Sequence, residues 1–106
     1  MKKNIYGLSD EALEHYKKMN WKIQQALLNT SIILGLEPDF IRKVIETCYY
    51  EHYFEKFPWS QEVVDHFTIL NWMKKHSEDA VDIYKTWLNS AEEEEQRMQS
   101  LERDRG

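Results

Sequence analysis

The sequence predicts an all-α fold, a compact bundle of about four helices with a long, acidic C-terminal helix. Three observations carry this. Only three Gly and two Pro punctuate 106 residues, too few for many strands joined by turns. Apolar residues recur at three- and four-residue spacing through most of the chain, the period of a helix with one buried face. Serines stand where such segments begin, as helix caps do. The 42% hydrophobic and 31% charged composition is that of a folded globule, and the length suits one domain, residues 1–106, with an arm at 1–8 and a charged helical tail at 92–106.

The first helix begins after Ser9, with Asp10 and Glu11 against the positive end of its dipole and Leu8 and Leu13 placed as a hydrophobic staple. Ala12, Tyr16, Met19, Ile23, Ala26, Leu27 and Leu34 form one continuous stripe, while Trp21, Leu28 and Ile32 fall on the opposite side. A helix with two apolar faces is either central and covered on both, or carries an interface. A break at Asn20, a competent cap, is the alternative to a single helix here.

Gly35 suits the left-handed position that ends a helix and Pro38 the first turn of the next. The second helix runs to about Lys56 and is stopped by Pro58. Its early apolar residues Ile41, Val44, Ile45 and Cys48 share one side. Tyr49, Tyr50, Tyr53, Phe54 and Phe57 lie on a side rotated by roughly 160°. Six of the eleven residues from Tyr49 to Trp59 are aromatic; these rings either fill the core or form an exposed patch for a partner.

Ser60 caps the third helix, with Trp59 and Val64 as its staple. Its expected core face is Val63, Val64, Phe67, Leu70 and Met73, leaving Ile69 and Trp72 in need of a cover. Ser77 caps the fourth, which carries Ala80, Val81, Tyr84, Trp87, Leu88 and Ala91 on one face. Beyond Ala91 the spacing continues through Glu94, Met98 and Leu101 past the run Glu92 to Glu95. Such a tail is expected to be a solvated, fraying helix.

Residues 1–53 hold 7 basic and 7 acidic side chains, and residues 54–106 hold 7 and 12, so the net charge of −5 is entirely C-terminal. That balance disfavours a nucleic-acid partner. No apolar run approaches the roughly 20 residues of a membrane span. The single cysteine and the absence of an apolar stretch behind the N-terminal lysines point to a cytoplasmic protein with no membrane partner.

Ser31, Leu34-Gly35-Leu36, Pro38, Ile41 and Val44 have the spacing of a helix-turn-helix, and over about 20 residues the segment resembles that family. In the family the second helix enters the major groove of DNA. The resemblance would set Asp39, Arg42, Lys43, Glu46 and Thr47 at the DNA, a set with no net charge, and puts Thr30 where the motif is normally apolar.

Cys48 and His52 are one turn apart, as are Glu62 and His66, but structural zinc wants four ligands and there is no second Cys. The chain has no Glu-x-x-His pair of the di-iron bundles and no glycine-rich phosphate loop. Cys48 reads as an inert core residue rather than a nucleophile. No catalytic, cofactor or metal residue is therefore expected.

The leading expectation is a small protein–protein interaction module, an adaptor or inhibitor able to self-associate as a homo-oligomer, with Trp21, Leu28, Ile32, Tyr50, Phe54, Ile69 and Trp72 as partner-binding residues. Such chains are frequent among accessory proteins of mobile elements. The alternative is a helix-turn-helix DNA-binding regulator using Arg42, Lys43 and Thr47. An acidic surface imitating nucleic acid is a third idea.

Overall fold

Asn20 decides how the first third of the chain folds. Its Oδ1 accepts the Lys22 amide at 2.9 Å, which caps a fresh helix at Trp21 and divides the expected first helix in two. The computed structural model describes residues 6–54 and 59–105, with side chains described as far as residue 98. Five helices result: α1 Asp10–Lys17, α2 Trp21–Leu34, α3 Pro38–Tyr53, α4 Gln61–His76 and α5 Glu78–Arg105. No strand occurs among the described residues.

The other boundaries follow local chemistry. Ser9 Oγ accepts the Ala12 amide at 3.3 Å, and Ser60 Oγ and Ser77 Oγ accept the Val63 and Ala80 amides. At the end of α2, Gly35 adopts φ +64°, with the Leu36 amide donating to the Ser31 carbonyl and the Gly35 amide to that of Ile32. This pair of bonds around a left-handed residue is a Schellman termination. Pro38 then opens α3. α3 closes at Tyr53, short of the expected Lys56; Pro58 lies outside the described residues.

α3 and α4 run antiparallel: Phe40 meets Trp72 and His76 at one end, and Thr68 donates to Glu51 at the other. α2 runs antiparallel to α5, with Lys22 paired to Glu95 at 3.4 Å and Asn29 sharing a groove with Trp87. α4 and α5 form a hairpin through Ser77, and α1 lies on α3. One core, including Met19, Ile23, Leu27, Val44, Ile45, Ile69, Met73 and Tyr84, is shared by α2, α3, α4 and α5, and α1 adds Ala12 to it. α5 packs on the bundle through Tyr84 and Ala91, and Glu95 makes its last described ion pair to another helix.

The structure decides between the two alternatives for α2 and corrects the expected face of α4. α2 is not covered on both sides: Ile32 is 76% and Trp21 44% exposed, and Ile33 is exposed as well. On α4 the buried residues are Val64, Asp65, Thr68, Ile69 and Met73. Ile69, expected to seek a partner, is therefore sealed in the core, whereas Val63 and Phe67, expected in the core, are exposed. The reason is that two polar residues on the buried face are matched. His15 Nε2 donates to Asp65 Oδ1 at 2.6 Å with both side chains fully buried, and Thr68 finds Glu51. A buried polar group that is hydrogen-bonded escapes most of its desolvation cost.

Candidate functional site

Four apolar surfaces remain uncovered among the described residues, and the seven partner-binding residues expected from sequence do not form one patch. Three of them are linked through Tyr50, which neighbours Phe54 on α3 and shares a depression with Trp72 of α4. In the last turns of α3, Tyr50 and Phe54 lie four residues apart on one face, with ring centroids 5.1 Å apart. Tyr49 meets Phe54 edge-on at 5.7 Å and Tyr53 at 5.0 Å. Offset and edge-on pairs of this kind hold a ring cluster together. Tyr50, Tyr53 and Phe54 are exposed, and only Tyr49 backs onto the core. The described rings of the aromatic segment are thus surface for the most part, not the filling of the bundle; Phe57 lies outside the described residues.

Across the cleft between α3 and α4, half-buried Trp72 stands edge-on to Phe40 at 5.6 Å, and the Lys75 ammonium lies 5.3 Å from its ring centroid. Tyr50 and Trp72 line an open depression together with Lys43, Glu46 and Thr47. The geometry therefore joins part of the expected protein-binding set to two of the three residues expected at DNA. Lys74 and Lys75 border the adjoining depression and have no carboxylate partner among the described residues.

The helix-turn-helix resemblance holds for the turn and weakens at the reading face. Thr30 and Ser31 are buried, and their hydroxyls donate to the Ala26 and Leu27 carbonyls one turn back, so Thr30 does the work of an apolar residue there. On α3, however, Arg42 is held by Asp39 at 2.6 Å and by Glu46 at 3.0 Å, and Lys43 reaches Asp39 at 3.3 Å. Hydrogen bonds first from Arg42 and then from Lys43 hold the Asp39 carboxyl below the ordinary carboxylate range. Thr47 donates its hydroxyl to the Lys43 carbonyl at 2.7 Å. The cations that would meet phosphate are already neutralised within their own helix. In addition, α2 packs mainly on α5 rather than on α3.

The remaining expected residues sit elsewhere. Trp21 edges a groove between α2 and α5 beside Trp87 and Ala91. Leu28, half-buried, and Ile32 flank a small depression with Leu36 and Ile41 at the far end of α2, about 16 Å along the helix axis from Trp21. A further surface escaped the sequence pattern: Val63 and Phe67 line a groove with Ile23 and Leu88. The signal for it was the four-residue spacing Trp59, Val63, Phe67, a stripe that a wheel centred on Val64 folds into the core.

Cys48 is fully buried, with its Sγ 4.0 Å from the Asp65 carbonyl oxygen. Burial first, and then the charges of Asp65 and Glu51, push its thiol well above the usual range, the opposite of an activated nucleophile. His66 Nδ1 lies 3.2 Å from the Tyr84 hydroxyl. Among the described residues no three His, Cys, Asp or Glu side chains are placed to share a metal ion, and no helix is long and apolar enough to cross a membrane. Comparison of the chain with protein-family models, curated proteins and solved structures found no match.

Proposed function

We propose that the protein is a small protein–protein interaction module of the cytoplasm, an adaptor or inhibitor that acts by occupying a partner's surface and has no catalytic role of its own. The observation that carries this is the aromatic surface of Tyr50, Phe54 and Trp72. Tyr50 and Phe54 are 55% and 58% exposed, although a small domain gains by burying such rings. Aromatic side chains bordering a depression, as Tyr50 and Trp72 do, are the usual anchors of protein interfaces. Lys74 and Lys75 supply a cationic rim, which the acidic balance of the rest of the chain makes distinctive. Ile32 and Trp21 offer further apolar contact on α2, and the carboxylates at the start of the tail, Glu92 to Glu94, stay exposed.

The test is affinity capture from the native host with the intact chain and with a Tyr50→Ser/Phe54→Ser/Trp72→Ala variant. One defined protein retained by the intact chain and lost by the variant, with Trp21→Ala still retaining it, is the expected outcome. Retention by all three chains would move the interface off α3 and α4.

A second reading, a DNA-binding regulator, draws support from the Schellman turn at Gly35 and from the lysines bordering Trp72. A mobility shift with duplex DNA at low salt that Lys43→Glu and Lys74→Glu abolish would favour it. Absence of any shift would remove it.

A further inference from the structure

α2 and α4 each pack along α5 but touch one another only sparingly. Where they diverge a groove opens, with a volume of about 200 Å³. Ile23 of α2 and Leu88 of α5 form its floor, and Val63 and Phe67, 38% and 54% exposed, form its α4 wall. Along α4 the apolar path continues to the Trp59 ring, 6.4 Å from that of Phe67. The volume is below the roughly 300 Å³ of a small-ligand pocket. An open apolar channel of this size suits side chains presented in a row by a helix.

The rim carries negative charge. Glu62 and Glu92 flank the groove. Glu62 accepts only the Asn20 side-chain amide, at 3.2 Å, and Glu92 has no cationic partner among the described residues. Lys22, the lysine that lines the groove, is already paired with Glu95 at 3.4 Å, and Lys85 of α5 lies near enough to act on His66. His66 also lines it; burial pulls this imidazole below the ordinary histidine range, against the opposing pull of Glu92, so it adds no positive charge near neutral pH.

We propose that this groove receives a cationic amphipathic helix of a partner protein. Its apolar side chains enter between Phe67 and Leu88, and its Lys or Arg residues meet Glu62 and Glu92. Charge complementarity selects this occupant: phosphate backbones and anionic lipid surfaces are repelled by the same carboxylates, and the Glu92 to Glu95 segment of a second copy would be repelled as well. The groove uses different helix faces from the Tyr50, Phe54 and Trp72 surface, so it stands independently of it.

The probe is a synthetic fluorescent leucine–lysine amphipathic helix, with a leucine–glutamate helix of the same apolar pattern as its counterpart, followed by fluorescence anisotropy on the full chain. Saturable binding of the lysine peptide is expected, with the glutamate peptide at least about tenfold weaker. Phe67→Ser, and separately Glu62→Lys/Glu92→Lys, should each weaken the lysine peptide by about tenfold or more. Glu78→Gln, an exposed carboxylate in the first turn of α5 and ten residues before Leu88, should change it by less than about twofold. Circular dichroism monitors folding, and Val63→Ser replaces Phe67→Ser if that variant loses helicity. Equal binding of the two peptides, unchanged binding after the groove substitutions, or no saturation at millimolar protein would overturn the proposal. So would dimerisation in sedimentation that Phe67→Ser abolishes, because it would assign the groove to a second copy.

Discussion

At the scale of single residues, the pair His15 and Asp65 is a buried polar tie between helices. It ties α1 to α4 across 50 positions of sequence with both side chains fully buried. His15 Nδ1 and Asp65 Oδ2, equally buried, have no hydrogen-bond partner among the described residues, so the one bond they share offsets the desolvation of both groups. Asp65→Leu should therefore cost about 3–5 kcal/mol, the usual penalty for orphaning one member of a buried pair. The double variant His15→Leu/Asp65→Leu should cost clearly less than the sum of the two single changes. Urea unfolding of the four proteins measures this directly; additive costs would mean that the two side chains are not coupled. The neighbouring Cys48 makes a second prediction. Its thiol is sealed and pushed upward, so a thiol reagent should label it slowly in the native protein and at once in denaturant; rapid native labelling would contradict its burial.

At the scale of elements, caps and turns carry the fold, and Gly35 shows how. Its φ of +64° is left-handed, and a Cβ there would meet nothing within 4 Å. Gly35→Ala should thus destabilise by about 1–2 kcal/mol through backbone strain alone, and Gly35→Asn by less. A thermal melt separates the two. Features of this local kind were legible in the sequence: Ser9, Gly35, Pro38, Ser60 and Ser77 all mark the helix ends their chemistry predicts, because a cap needs only its neighbours. The break at Lys18–Asn20 was visible only as an alternative, since it contains neither Gly nor Pro and turns on whether Asn20 bonds the Lys22 amide. The buried face of α4 was misplaced. A helical wheel ranks Phe67 above Asp65 for the core, and nothing near Asp65 in sequence announces that His15 will meet it. The same error hid the Val63 and Phe67 groove and nominated Ile69 as a partner residue. On α3 the change of apolar face near Cys48 was readable, but whether the rings beyond it were buried depended on how far α1 and α4 extend over them.

At the scale of the whole molecule, stability and surface charge should answer together to pH. His66 sits where α4 meets α5, beside the Tyr84 hydroxyl, and burial lowers its proton affinity on folding. The unfolded chain then binds that proton more readily than the folded one. Its contribution to stability is complete above the unfolded value of about 6.5 and is lost as pH falls from there toward the lower folded value. The Tm should drop on acidification through this window, and His66→Gln should flatten the drop; an unchanged slope in the variant would assign the effect to other groups. A different consequence follows from α2 being antiparallel to α5, with Lys22 joined to Glu95. During synthesis α2 emerges well before α5, the helix that covers it, which starts more than 40 residues later. At roughly 5–20 residues per second, Ile23, Ala26 and Leu27 wait several seconds on the ribosome before their main partner exists. The nascent chain is then a client for whatever chaperone recognises a short apolar helix.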